Sequence, residues 1–178
     1  MNDFKSKVLI VIANIFLTSS LSADGLALYL PVTVAINDYG INDQSNRNGT
    51  FIGLGLAYDS SVTKNNLYNY RFGFEYNNYS FISEKITDIT IVNTFGLQIY
   101  QNTKLRIWAG PRVSMGYRTV DDFTGISSNP HFKIAGVTGI NYSVSKDIAL
   151  SLDIDVFLES YYYGASTRLY IFYRFGDT

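Results

Sequence analysis

Apolar and polar residues alternate in steps of two along most of this chain, and the segment from Ile148 to Leu158 shows the pattern most clearly. All six even-numbered positions of this segment are aliphatic. The odd-numbered positions include Asp153 and Asp155. Since successive side chains of a β-strand point to opposite faces, the segment is predicted to be a strand with one apolar face and one acidic face.

The same alternation predicts eight strands along the chain. They span residues 26–36, 50–59, 67–77, 88–100, 104–117, 131–143, 146–159 and 167–175. A tilted strand needs about 9–11 residues to cross a bilayer, so each segment is long enough for this. Longer connections are predicted at residues 37–49, 78–87, 118–130 and 160–166, and they alternate with short turns. Long outer loops that alternate with short periplasmic turns are typical of outer-membrane barrels.

The alternation along the predicted strands separates charged from uncharged positions. No charged residue occupies the alternate positions that begin at Leu28, Ile52, Tyr68, Ile89, Leu105, Phe132, Ile148 and Leu169. The opposite face carries Arg71, Glu75, Arg106, Arg112, Arg118, Lys133, Asp153, Asp155, Glu159, Arg168 and Arg174. A surface in contact with lipid tolerates almost no charge. The pattern therefore predicts an all-β fold, namely an eight-stranded antiparallel up-and-down transmembrane β-barrel with its charges inside.

Aromatic residues are predicted at both ends of the apolar face. A girdle at the periplasmic strand ends is predicted from Tyr58, Tyr68, Tyr142, Tyr173 and Phe175. Tyr76, Tyr117 and Phe132 fall at the opposite strand ends. Rings at both interfaces are typical of membrane barrels. A soluble β-sandwich would explain the alternation but not the two girdles.

The first residues of the chain have the order of a secretory signal. Lys5 and Lys7 precede an apolar run from Val8 to Leu17, and small and polar residues follow that run. About ten apolar residues are too few for a membrane-spanning helix. Residues 1–23 are therefore predicted to be a signal peptide and residues 24–178 a barrel domain. The chain contains no cysteine, so no disulfide can stabilise it.

Composition narrows the classes of partner. The formal net charge is −1 and the isoelectric point is about 5.7, so nucleic acid is not expected as a partner. Aromatic residues make up 16 % of the chain, with 15 tyrosines, which fits a barrel rich in interfacial rings. The mean hydropathy of +0.04 fits an apolar content that is spread by alternation rather than concentrated in helices.

Two stretches of the chain carry a resemblance to a known group. The stretch RLYIFYRF, from Arg168 to Phe175, looks like the closing strand of outer-membrane proteins. The stretch from Gly139 to Leu150 resembles a turn and strand start common in small OmpA/OmpX-like barrels. The resemblance implies a location in the cell outer membrane of a Gram-negative bacterium, with lipid and lipopolysaccharide as partners. It also implies recognition by the barrel-assembly machinery through the last strand. With an even number of strands, both termini are expected in the periplasm, and a monomer is expected.

The interior of an eight-stranded barrel is just wide enough for side chains to fill. Charges that are removed from water need partners, so the inward residues are predicted to form a network. The predicted members are Arg71, Glu75, Arg106, Arg112, Asp153, Asp155 and Glu159. Such a lumen is either a gated polar pore or a solid plug, and the plug is favoured.

His131 is the only histidine and the main candidate for catalysis. Lipid A-modifying barrels place a histidine near a serine and an acid at a similar level. Their deacylase type has the pattern His-x-Ser, however, whereas this chain has Lys133 two positions after His131. Further groups that could approach His131 are Asp121, Asp122, Ser127 and Ser128. No catalytic site, cofactor or metal is expected.

Two classes of function follow from this sequence. The favoured one is a structural or surface-interaction barrel with a polar lumen filled by side chains and with loops exposed at the cell surface. The alternative is a narrow transport barrel for small or apolar solutes. A lipid A-modifying enzyme is the third possibility.

Overall fold

The chain forms eight long β-strands and no other regular element among the residues that the structure describes. The computed structural model describes residues 25–37, 48–59, 67–80, 85–122, 125–159 and 162–175. The strands are β1 (Gly25–Asn37), β2 (Asn48–Asp59), β3 (Tyr68–Ser80), β4 (Lys85–Gln101), β5 (Leu105–Asp122), β6 (Gly125–Ser143), β7 (Ile148–Glu159) and β8 (Tyr162–Arg174). None of the described segments is a helix with the length and apolarity needed to cross a membrane. The predicted signal peptide, residues 1–23, lies outside the described residues.

The strands close into a single barrel. Each strand pairs antiparallel with the next one along the chain, and β1 pairs with β8 from Gly25 opposite Arg174 to Asn37 opposite Tyr162. The fold predicted from the sequence is therefore confirmed. A closed ring leaves no open edge along its paired length, so the backbone groups there are satisfied within the sheet.

The two faces of the barrel have opposite chemistry. Along β7 every even-numbered side chain from Ile148 to Leu158 is exposed, while Ser151, Asp153 and Asp155 are buried. The other strands follow the same alternation, with exposed leucine, isoleucine, valine and aromatic residues outside, and with charged, polar, small and aromatic residues inside. An exposed apolar surface of this extent requires an apolar environment. The outside is therefore suited to lipid and the inside to polar side chains.

Three of the four longer loops predicted from the sequence are much shorter in the structure, because the strands continue into them. Residues 118–130 belong mainly to strands, since β5 runs to Asp122 and β6 begins at Gly125. In the same way β4 begins at Lys85 and β8 at Tyr162, which corrects the predicted loops at residues 78–87 and 160–166. The fourth predicted loop, residues 37–49, lies largely outside the described residues.

The extra strand length makes the β5–β6 hairpin project beyond the ring. The pairing of β5 with β6 continues to Asp122 opposite Gly125, whereas the pairing of β6 with β7 ends at Lys133 opposite Glu159. Gly125 has a φ angle of 131°, a conformation that favours glycine at a tight reversal. The polar residues of this hairpin lack an apolar face, which is why the alternation did not predict it as strand.

Candidate functional site

Alternating strand geometry directs a continuous chain of ion pairs into the lumen. Arg71 on β3 contacts Asp59 at 2.8 Å and Asp153 at 2.7 Å. Arg112 on β5 contacts the same Asp153 carboxylate at 2.6 Å and also pairs with Asp155. Each of these side chains is almost completely buried. One carboxylate on β7 thus joins arginines from two other strands.

The chain of ion pairs continues to β8 and returns to β3. Arg168 on β8 pairs with Asp155 on β7 and with Glu75 on β3. We call the whole set the central network; its members are Asp59, Arg71, Glu75, Arg112, Asp153, Asp155 and Arg168. Four of its six ion pairs link strands that are not neighbours in the sheet, for example β3 and β7 through Arg71 and Asp153, so the network holds opposite walls of the barrel together.

The structure brings together five of the seven network residues predicted from the sequence, and it adds Asp59 and Arg168. Arg106 lies near the end of the lumen, where its guanidinium donates a hydrogen bond to the carbonyl oxygen of Tyr68 at 3.2 Å. Glu159 belongs to a different group of charges at the other end. Asp59 is the last residue of a predicted strand, and its inward parity is the only feature of the sequence that indicates membership of the network. Its partner, Arg71, depends on the register of β2 against β3.

Aromatic rings pack against one end of the central network. The guanidinium of Arg71 lies 4.1 Å from the ring centre of Tyr170 and 4.8 Å from that of Phe172. Tyr170 also stacks on Tyr29 with 4.5 Å between ring centres. A cation over a desolvated ring is stabilised by about 2 kcal/mol, so the rings and the arginine support one another.

Glycines make room for the largest of these rings. Trp108 is fully buried, and its indole Nε1 donates a hydrogen bond to Asn141 Oδ1 at 3.2 Å. A Cβ atom added at Gly96 or at Gly139 would overlap the indole ring. The ring therefore lies directly against two stretches of bare backbone. Large side chains opposite glycines fill this part of the lumen.

A second group of charges lies at the end of the barrel from which the β5–β6 hairpin projects. Arg118 donates hydrogen bonds of 2.9 Å to both carboxylate oxygens of Asp88 and one of 2.9 Å to Glu159. Lys133 lies 3.9 Å from Asp88 and 3.8 Å from Glu159. With His131 these residues form what we call the terminal cluster.

His131 lies between the two carboxylates of the terminal cluster. Its Nε2 is 3.7 Å from Asp88 and 3.4 Å from the Thr90 hydroxyl, and its Nδ1 is 3.7 Å from Glu159. Nδ1 is buried, and none of the described residues forms a hydrogen bond with it. The partners of His131 are thus Asp88, Glu159 and Thr90 rather than the four hairpin residues that the sequence suggested.

The order of carboxylate, imidazole and hydroxyl in the terminal cluster resembles the arrangement that activates a nucleophile. Thr90, however, is only 2 % exposed, and its hydroxyl lies inside the barrel beside the His131 ring. Within the described segments, no group of three or more histidine, cysteine, aspartate or glutamate residues could hold a metal ion. The geometry favours a structural role for these charges.

The predicted girdle residues all lie at the other end of the barrel, on its outer surface. Tyr68, Tyr142, Tyr173 and Phe175 are exposed, and Tyr58 is partly exposed. Tyr173 and Phe175 contact each other edge to face with 5.4 Å between ring centres. This end also carries the β4–β5 and β6–β7 turns. That it faces the periplasm stays a prediction.

Comparison with known proteins shows the fold. No known protein family matches the sequence, and no curated protein matches it either. Neisserial surface protein A has a similar structure, with a TM-score of 0.68 at 11 % identity over 85 % of this chain and 97 % of that one. Ail, the attachment invasion locus protein of Yersinia pestis, has a TM-score of 0.62 at 12 % identity over 86 % of this chain and 99 % of that one.

A second structure of Ail, in complex with the heparin analogue sucrose octasulfate, has a TM-score of 0.58 at 13 % identity. It covers 85 % of this chain and 97 % of Ail. At such low identity these likenesses concern the fold. The chain has the fold of the small eight-stranded outer-membrane β-barrels, as its resemblance to OmpA/OmpX-like proteins predicted.

Proposed function

We propose that this chain is an outer-membrane β-barrel with a structural and surface-interaction role and a lumen closed by its own side chains. The closed ring, the apolar exterior and the ion-paired interior support this proposal. Lipid and lipopolysaccharide cover the apolar exterior, and the barrel-assembly machinery recognises the last strand. Both termini then lie in the periplasm, and the β5–β6 hairpin projects from the cell surface. No catalytic step is part of this function.

The observation that carries the surface-interaction role is the edge of β6 beyond the ring. Residues 125–132 of β6 pair with β5, and no other described strand pairs with them. Two hydrogen bonds at the other end of β6 show which way its N–H groups point. The odd-numbered Ser143 donates to the carbonyl of Lys104 on the β5 side, and the even-numbered Val144 donates to the carbonyl of Ile148 on the β7 side. Because N–H groups alternate in direction along a strand, the even-numbered residues Ile126 and Ser128 direct theirs away from β5.

An exposed strand edge can accept an extended segment of another protein as an additional strand. Main-chain hydrogen bonds supply the affinity in this mode of binding, and side chains on alternate positions supply the specificity. Pro130 has no N–H group to offer at this edge, so it limits the available donors to the outermost part of the hairpin. The partner class that fits is therefore a short extended peptide segment.

The edge role can be tested with a matched pair of variants. A phage-displayed library of extended peptides is selected for binding to the folded protein in lipid nanodiscs. Only those peptides that slow amide exchange at Ile126 and Ser128 are studied further. We expect Ser128→Pro, which removes an edge donor, to weaken binding about tenfold, since each hydrogen bond contributes about 1 kcal/mol and proline also disturbs its neighbours. Ser128→Ala keeps the N–H group and should bind as the wild type does. A library without any binder that protects these amides, or full binding by the proline variant, would refute the edge role.

The membrane location can be tested independently of any partner. We expect the mature protein in the outer-membrane fraction, and we expect it to migrate faster on gels when it is not boiled, because the closed hydrogen-bonded ring resists detergent. Recovery with soluble periplasmic proteins would contradict the proposed location.

A further inference from the structure

The terminal cluster joins four strands where the ring ends and the projecting hairpin begins. Asp88 belongs to β4, Arg118 to β5, His131 and Lys133 to β6, and Glu159 to β7. Among the described residues, Lys133 opposite Glu159 is the last pair between β6 and β7, so His131 lies just beyond that pair. Contacts among these side chains therefore hold the base of the hairpin to β7 where backbone pairing stops.

The charges of the terminal cluster balance only while the imidazole is neutral. Arg118 and Lys133 supply two positive charges and the two carboxylates supply two negative ones. Arg118 already donates hydrogen bonds to both carboxylates, at distances of 2.9 to 3.3 Å. His131 is only 6 % exposed, and both of its ring nitrogens lie too far from the carboxylates to form hydrogen bonds.

We propose that the terminal cluster is an acid-sensitive clasp, which holds the hairpin base to β7 at neutral pH and opens when His131 takes up a proton. Protonation places a third positive charge in a buried group whose carboxylates already accept hydrogen bonds from Arg118 and lie within 4 Å of the Lys133 ammonium. A buried charge without its own partner is costly, and opening the clasp returns it to water. Histidine is the side chain that ordinarily titrates between pH 5 and 8, so the change falls near mild acidity. This inference goes beyond the binding role of the hairpin and does not depend on it.

The sign of the effect follows from proton binding. The opened form binds the proton on His131 more readily than the closed form, so acidification shifts the equilibrium towards opening. The stability of the clasp is therefore present at neutral pH and is lost as the pH falls. A one-unit difference in proton affinity between the two forms changes the opening equilibrium about tenfold.

The experiment uses the full mature protein folded in lipid nanodiscs. Because the chain has a single histidine, isotope-labelled histidine reports the protonation of His131 directly by NMR. Ile134 and Leu158 form the β6–β7 pair next to the clasp, and their even-numbered N–H groups face each other's strand. Amide exchange at these two residues, corrected for its intrinsic pH dependence, reports opening at about pH 7.5 and about pH 5. We expect protection of these amides in the wild type to fall about tenfold on acidification, in step with the histidine titration.

Three variants separate the imidazole from other acid effects. His131→Gln keeps a polar side chain that does not titrate, and we expect its amide protection to be equal at both pH values. Asp121→Asn removes an exposed carboxylate from the hairpin and should respond to acid as the wild type does. Lys133→Met removes the ammonium that competes for the two carboxylates, so a protonated His131 can pair with them instead. Acidification should therefore lower the amide protection of this variant less than that of the wild type.

The alternatives give different results. Equal losses of protection in the wild type and in His131→Gln would assign the effect to the carboxylates and overturn the proposal. A wild type whose protection is unchanged or rises on acidification would overturn it as well, because the imidazolium would then be accommodated by the closed cluster. If His131→Gln fails to form a barrel that shifts on gels, Lys133→Met and the histidine titration still decide the outcome.

Discussion

Asp153 shows at the scale of one residue how the lumen is held together. Its carboxylate is fully buried and contacts the guanidinium groups of Arg71 and Arg112 at 2.7 and 2.6 Å. Forming such a buried ion pair contributes little net stability, because both charges must leave water. Breaking one leaves a buried charge without a partner, which is strongly unfavourable. Single substitutions in the central network are therefore expected to be costly.

Asp153→Ala should lower the free energy of unfolding by about 3–5 kcal/mol, and by less if water enters the vacated space. The reason is that two arginines lose a shared carboxylate in a site without solvent. The midpoint of urea unfolding in lipid vesicles measures the effect. Asp147→Ala, in the exposed β6–β7 turn, is the control and should change the midpoint little. Equal midpoints for the wild type and the Asp153 variant would contradict the network.

Two glycines of β6 give a second matched comparison. Gly139→Ala places a methyl group into the buried indole of Trp108 and should destabilise the barrel by about 1–3 kcal/mol through overpacking. Gly136→Ala meets no atom within 4 Å, and it should be neutral or stabilise by up to about 1 kcal/mol, since alanine restricts the unfolded chain. The same urea midpoints report both. A tolerant Gly139 together with a sensitive Gly136 would show that the inward and outward faces are reversed.

At the scale of the element, β7 was predictable and the β5–β6 hairpin was not. Strict alternation from Ile148 to Leu158 arises because one face meets lipid and the other meets the lumen, so the pattern reveals both the strand and its orientation. The hairpin beyond the ring meets neither environment, and it carries no such pattern. Its strands are held by backbone pairing, for example between Val120 and Ser127, and by a 2.9 Å hydrogen bond between the Thr119 and Ser128 hydroxyls, which a sequence pattern does not report.

The outward face of β7 can be tested with a charge. Leu152→Arg should cost about 2–4 kcal/mol if the residue lies near the bilayer midplane, because an arginine there meets hydrocarbon. The fraction of folded barrel on unboiled gels and the urea midpoint in vesicles both measure this cost. Thr103→Arg, in the exposed β4–β5 turn, serves as the control. If both variants folded equally well, Leu152 would not face lipid.

At the scale of the whole molecule, the partners of the buried charges depend on how the ring closes. Parity along each strand predicted that Arg71, Arg112 and Asp155 point inward. Which charges meet depends on the registers of eight strand pairs and on the distance across the lumen. Arg168 and Glu75, for example, are 93 residues apart along the chain, and no local pattern relates them. The sequence could therefore predict the kind of interior but not its pairing.

A closed interior also determines what the molecule can transport. The central network, the aromatic rings around Arg71 and the indole of Trp108 occupy successive levels of the same narrow lumen. If they fill it as side chains fill other eight-stranded barrels, no continuous water path crosses the membrane. The proposed structural and surface-interaction role needs no such path, whereas the transport alternative requires one.

Conductance of the purified, folded protein in a planar lipid bilayer tests this claim most directly. We expect no steady channel, because the lumen holds the buried ion-paired side chains together with the aromatic rings that pack against them. Asp153→Ala is the companion variant, because it removes the carboxylate that Arg71 and Arg112 share. This variant should show brief channel openings if the central network is what closes the lumen. Large steady channels in the wild type, with unchanged stability in the variant, would contradict the account and favour a water-filled transport path.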